Sequence, residues 1–179
     1  RDFFTENAYG QVSMQFTVTG WHTVAATNTS CDYSTFATQG DAAATGAGYT
    51  LSNFERRIYA FPQTSACSWW GLGNLSGPRS WVNGSYALRV VAHELGHNFG
   101  DHHSMSLRCD AGGCTESEYG DDRDVMGATT GHLNVFQKER LGWLNYGVSP
   151  PIHTVTSANT YWLEPVSTPN TGTAKGLKI

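Results

Sequence analysis

Hydrophobic positions along this 179-residue chain change period several times. Phe3 and Phe4 form the apolar side of a short helical segment over residues 1–9. From Gln11 to Gly20 the pattern alternates, with Val12, Met14, Phe16 and Val18 on one side, which predicts a half-buried strand. Trp21 to Thr29 continues it as strand and then loop. Phe36 to Ala47, rich in alanine and containing Asp41, predicts a helix. Arg56 to Phe61 predicts a strand stopped by Pro62. Between Cys67 and Val82, the aromatics Trp69, Trp70 and Trp81 are interrupted by Gly71, Gly73, Gly77 and Pro78. That suits an irregular edge strand beside a cleft better than a central one.

A helix follows, with Asn83 or Ser85 as its cap and Leu88, Val91, Ala92 and Leu95 directed into the core. Asp110 to Asp124 is acidic and glycine-rich, hence an exposed loop. Asn134-Val135-Phe136-Gln137 has the form of a capping box and opens a helix that stops at Gly142. After Pro150-Pro151, residues 152–156, 160–166 and 175–179 predict short strands. The chain starts at Arg1-Asp2 without a methionine and its last strand stops at Ile179, so a processed piece cut from a larger protein is expected. Its length suits one domain, subdivided as 1–103, 104–149 and 150–179.

The helix after Ser85 carries the chemistry at its far end. His93 to His103 reads H-E-x-x-H-x-x-G-x-x-H. Residues four apart on a helix lie about 40° apart in projection and roughly 6 Å apart along the axis, so His93 and His97 can converge on one ion. Glu94 is offset by about 100°, within reach of a water there without being a ligand. His103 would be about 15 Å from His93 in an unbroken helix. Zinc ligands with bonds of about 2.0–2.1 Å must lie within roughly 3–4 Å of one another. The helix must therefore end, and Gly100 can take the positive-φ turn that sends the chain back. His102 competes with His103 for the third position, and the spacing favours His103. Five fixed positions matching by chance in such a chain is on the order of one in ten thousand. Three neutral imidazoles around zinc leave an open position and lower the pKa of a water toward about 7. Glu94 would then act as general base and acid in attack on a peptide carbonyl.

Composition narrows the setting. A net charge of −4 with scattered signs offers no basic patch, which argues against nucleic acid or an anionic membrane. The apolar runs are too short to span a bilayer. Four cysteines, Cys31, Cys67, Cys109 and Cys114, form no C-x-x-C pair, which favours two disulfides over a second zinc site. Of the three pairings, Cys31–Cys67 with Cys109–Cys114 is preferred. The long loop would contribute nearly 4 kcal/mol and the short one roughly 2, and an oxidising compartment follows.

The extended histidine motif resembles the metzincin clan of zinc endopeptidases, whose pattern includes a methionine turn. Asp124-Val125-Met126-Gly127 supplies it, with Met126 as a structural residue. Within the clan the likeness is to the gametolysin-type peptidases, carried by His93 to His103, Tyr119-Gly120-Asp121, Asp124 to Gly127, and Asn134 to Leu144. Arg1 to Phe4 with Ser13 also resembles that family's opening helix and strand. The resemblance implies an α+β fold: a twisted mixed sheet over a central active-site helix, a methionine turn, and a mostly irregular C-terminal part with short strands. It also implies a secreted zinc endopeptidase with a cleft along the edge strand and a protein or peptide as substrate; a monomer is expected. The alternatives are a catalytically silent zinc-stabilised binding relative, against which Glu94 argues, and a cell-wall peptide amidase. Where several metzincin families carry a tyrosine two residues after the turn methionine, this chain has Ala128. Tyr119, His132 and Tyr146 are weaker candidates for aiding an oxyanion. Glu116, Glu118, Asp121, Asp122 and Asp124 could bind a structural calcium ion, but they lack a calcium loop's alternation, and a solvated loop with Asp124 fixing the turn is preferred. Trp69 and Trp70 could line a substrate cleft, Trp81 less so. Asn28, Asn74 and Asn83 head N-x-S sequons.

Overall fold

The computed structural model describes residues 2–179. It is an α+β protein whose elements run α1 (Asp2–Asn7), α2 (Tyr33–Gly46), a 3-10 turn (Leu51–Asn53), β1 (Arg57–Phe61), β2 (Gly71–Gly73), β3 (Arg79–Asn83), α3 (Leu88–Phe99), β4 (Ser106–Asp110), β5 (Gly113–Ser117), α4 (Val135–Arg140), β6 (His153–Thr154) and β7 (Leu177–Lys178). The chain divides into two compact units: Thr17–His102, and the segment up to Phe16 together with His103–Ile179. The helix expected at the start is α1; Arg1, part of that expectation, lies outside the described residues.

The unit Thr17–His102 is built on a mixed sheet of order β1-β3-β2, with β1 parallel and β2 antiparallel to β3. β3 is its central strand, and Ser80, Trp81, Val82 and Asn83 are all buried. A strand covered on both faces shows no alternation, which is why residues 67–82 read as an edge from sequence. Within that stretch only β2 lies at an edge of the sheet. Trp81 belongs to the core, against Tyr33 at 5.1 Å and Tyr59 at 5.7 Å between ring centroids. Trp70 is exposed, while half-buried Trp69 packs edge-on against Tyr33 and Phe61.

α2 begins three residues before its expected start because Asp32 caps it, accepting from the Thr35 N–H at 3.0 Å. It packs on β1 and its Asp41 accepts from Arg57, Arg79 and Tyr59 at 2.9, 3.1 and 2.8 Å. The disulfide Cys31–Cys67 ties the approach to α2 to the loop after β1. The alternating segment at 11–20 forms no strand. Phe16 and Val18 are exposed, and neither they nor Trp21 to Thr29 enter a ladder; a period-2 pattern without a partner strand has nothing to hold it extended.

α3 packs on β2 and β3. Its N-cap is Ala87, with no side-chain cap bond. Asn83, one of the two expected caps, is buried instead at the end of β3. Its amide donates to the carbonyls of Thr64, Cys67 and Trp69 and accepts from the Thr64 N–H. Ser85, the other, is not the cap either. The buried face of α3 is Val90, Ala92, Glu94, Leu95, Gly96 and Asn98. Leu88, expected inside, is exposed at the first turn, where the helix has not yet reached the sheet.

In the second unit the core comprises Phe4, Ala8, Val125, Met126, Leu133, Trp143, Leu144, Ile152 and Ala174. Asn7 anchors α1 by accepting from the Leu133 N–H at 2.8 Å. Residues 106–117 form the antiparallel hairpin β4–β5, with Cys109 opposite Cys114 and disulfide-bonded to it; from Asp110 onward this stretch was expected as an exposed acidic loop. Both disulfides thus follow the preferred pairing. α4 is capped by Asn134, which accepts from the Gln137 N–H at 3.0 Å, and the chain leaves the helix at Gly142 with φ +75°. β6 and β7 pair in parallel. Residues 160–166 form no strand, touching 174 by the single Glu164–Ala174 backbone bond.

Candidate metal centre and active site

The last turns of α3 place His93 and His97 edge to face, ring centroids 4.8 Å apart. The helix ends at Gly100, whose φ of +110° is left-handed. The Gly100 N–H reaches the His97 carbonyl at 2.9 Å and the Asp101 N–H the Gly96 carbonyl at 3.0 Å, the paired bonds of a Schellman ending. That ending turns the chain so that, within the continuous stretch His93–His103, one ring nitrogen each from His93, His97 and His103 lie within 4.8 Å of one another. Among the described residues this is the one group of three or more histidine, cysteine, aspartate or glutamate side chains that could hold a metal ion. His102 is exposed and outside the group.

Two of the three histidines have an oxygen partner at Nδ1. His97 Nδ1 is 2.8 Å from the carbonyl oxygen of buried Asp101. His103 Nδ1 is 2.7 Å from Glu118 Oε1, and the Tyr119 ring lies 4.1 Å from the His103 ring. An oxygen acceptor at Nδ1 favours the proton on that nitrogen, the tautomer suited to metal binding through Nε2.

Glu94 is 7 % exposed and burial pushes its carboxyl up to about 8. Its surroundings come from β2. Gly71 and Gly73, two apart and therefore on one face of the strand, lie against it. A Cβ on Gly71 would meet Glu94 Oε1 and fall 2.6 Å from its Cγ; one on Gly73 would fall 2.6 Å from the Glu94 carbonyl oxygen and 2.9 Å from His97 Cβ. The two glycines are what let the strand pass this close to the helix. Asn98, also buried, fixes the same helix to the sheet by donating to the carbonyls of Asn74 and Arg79 and accepting from Ser80 Oγ at 2.7 Å. Neither the glycine pair nor Asn98 was read from sequence as part of the site. A Gly-x-Gly in an aromatic strand was the available signal, since glycine inside a strand marks close backbone approach.

Met126 is fully buried in the turn Asp124–Gly127, which is closed by the Gly127 N–H to the Asp124 carbonyl at 3.0 Å. The Asp124 carboxylate accepts from the N–H groups of Met126 at 2.7 Å and Asn134 at 2.6 Å; burial raises its pKa against those bonds. The Met126 carbonyl accepts from the Ser104 N–H at 2.9 Å, one residue past His103. The acidic residues do not converge on a calcium site. Asp121 accepts from the Arg123 N–H and the Asn134 amide, Asp124 fixes the turn, and Glu118 meets His103. Of the weaker oxyanion candidates, Tyr119 lies tilted against the His103 ring, His132 sits beside Phe3 and Lys138, and Tyr146 is exposed.

No curated protein and no solved structure matches the chain. A family model described as gametolysin peptidase M11 matches residues 3–177. That match runs from α1 to β7, so the chain belongs to the gametolysin peptidases of family M11.

Proposed function

We propose that this protein is a secreted zinc-dependent endopeptidase that hydrolyses internal bonds of extracellular or cell-wall proteins, with residues 1–179 acting as one catalytic domain. His93, His97 and His103 would hold the ion. The donor set fits zinc, since three imidazoles with Nδ1 of His97 and of His103 engaged by oxygen acceptors match a three-ligand catalytic site. Zinc, when bound, supplies a Lewis acid that polarises a carbonyl and lowers the pKa of water toward about 7.

The proton work falls to Glu94. A dication held beside it would offset the burial that raises its pKa. The carboxylate would then take the proton from the attacking water and deliver it to the leaving nitrogen, which requires it to stay close to the ligand pair without becoming a ligand. The β2 glycines hold it there. β2 is the edge of its sheet that lies against Glu94, and an extended peptide could add there as a further strand through backbone bonds. Met126 serves as the methionine turn, acting on the centre through its bond to Ser104. The two disulfides support an extracellular setting.

The observation that carries this reading is the trio of imidazole nitrogens within 4.8 Å, with a buried carboxylate on the residue after the first. Glu94→Ala is expected to keep one zinc ion per chain and to lose turnover by at least about 10²–10⁴-fold. Turnover near that of the wild type would remove Glu94 from the mechanism.

A further inference from the structure

We infer that Glu118 is a positioning residue for the proposed metal centre, holding His103 in the tautomer that presents Nε2 to the ion. The inference rests on the zinc reading above and deepens it. A neutral imidazole carries one N–H. With Glu118 Oε1 at 2.7 Å from Nδ1, the proton belongs on Nδ1, where a carboxylate makes a charge-assisted bond. The Tyr119 ring at 4.1 Å covers one face of the imidazole and limits its rotation.

The β4–β5 hairpin explains how a residue fifteen positions away arrives there. β4 begins three residues after His103 and β5 ends one residue before Glu118, with Ser106 paired to Ser117. The hairpin returns the chain to the point where it left, and Cys109–Cys114 locks its tip. Gly120 allows the following turn to close. A Cβ there would lie 2.7 Å from Ser106 Cβ and 2.9 Å from Ser106 N, pushing residues 118–120 off the hairpin base. The two second partners of the ligands are thus of different kinds: a main-chain carbonyl for His97 and an exchangeable side chain for His103. Glu118 is exposed, at 66 % of its side chain, so its replacement leaves the core untouched.

The test is zinc affinity by chelator competition, with the visible spectrum of the cobalt(II)-loaded chain, for the wild type, Glu118→Ala and Glu118→Gln. Glu118→Ala is expected to bind zinc about 10–100-fold more weakly and to shift the cobalt bands. Glu118→Gln, whose amide oxygen still accepts from Nδ1, is expected to fall between it and the wild type. Unchanged melting of the metal-free chains separates this from misfolding. Should Glu118→Ala fail to fold, a Glu118→Gln protein with wild-type affinity and bands overturns the role, and the intermediate loss supports it. A wild type that binds one zinc ion beside variants with the same affinity and spectrum overturns the role of Glu118 and leaves the zinc centre standing. A wild type that binds no zinc overturns the centre itself, and this inference with it.

Discussion

At the scale of single residues, the carboxylate of Glu94 is governed by side chains that are missing from its neighbours. Gly71 and Gly73 present bare backbone to it, and a methyl group on either would overlap helix atoms. Gly71→Ala is the sharper test because its clash is with the side chain of Glu94, not with the helix backbone. The variant is expected to keep its fold and its metal while Glu94 swings aside. Turnover should then drop by about 10-fold or more, given that an ångström of misplacement at a reacting group can cost about 10²-fold. Equal kcat for the variant and the wild type would show that Glu94 does not depend on this contact. Asn83 teaches the same lesson. Its N-x-S sequon reads as a glycan acceptor in sequence, but its amide is buried with four backbone partners and is closed to modification in the folded chain.

At the scale of elements, the end of α3 decides whether the third histidine can join the first two. The Schellman ending needs a left-handed residue, and φ of +110° at Gly100 is a conformation that side chains rarely adopt. Gly100→Ala is expected to lower stability by more than about 1 kcal/mol and to weaken zinc binding. A urea midpoint and zinc affinity both equal to wild type would contradict it. The end of this helix was legible in sequence, because each constraint on it is local: two histidines a turn apart, then a glycine, then a third histidine; its start was not, the cap being Ala87. β1 and α4 were legible for similar reasons, one carrying its stop and the other its cap; α2 was expected too, but three residues short at its start, because its cap Asp32 was not read. The hairpin β4–β5 was not legible. Its strands are exposed except at half-buried Ser106 and so lack a hydrophobic pattern; only Cys109 and Cys114 flanking Ala111-Gly112 marked it. The strand expected at 11–20 failed in the opposite sense, with a pattern present and no partner to pair with.

At the scale of the whole molecule, stability should carry a signature of its buried lysines. Lys138 is fully buried, with Nζ 4.3 Å from the Tyr9 ring centroid and donating to the Val166 carbonyl at 3.2 Å and to Tyr9 Oη at 3.3 Å. Burial, then the Lys175 ammonium, lower its pKa to about 7, against the pull of Glu6 and Asp124. His132 faces it at 3.4 Å, with a pKa that burial also lowers. Because the unfolded lysine keeps its proton to about 10.5, the unfolded state binds more protons between pH 7 and that value, and stability rises with pH across the window by up to about 1.4 kcal/mol per unit. Lys138→Met is expected to flatten that rise in unfolding curves taken from pH 7 to 9. Parallel curves for the two proteins would contradict it. None of this was visible in sequence, where Lys138 reads as an ordinary helix cation: burial is set by residues far along the chain, here Tyr9 and Val166. The histidine trio was legible because it falls within eleven consecutive residues, whereas the contact of Glu118 with His103 and that of the β2 glycines with Glu94 each depend on how distant segments pack. Family membership speaks for a peptidase; the zinc ion and the use of Glu94 are the claims that chemistry must decide. The direct measurement is casein cleavage by the purified protein before chelation, after it, and after zinc is restored, with Glu94→Ala alongside. Cleavage that vanishes on chelation, returns with zinc and is absent from the variant is the predicted result. Cleavage that survives full removal of metal, or that the variant retains, would contradict the account.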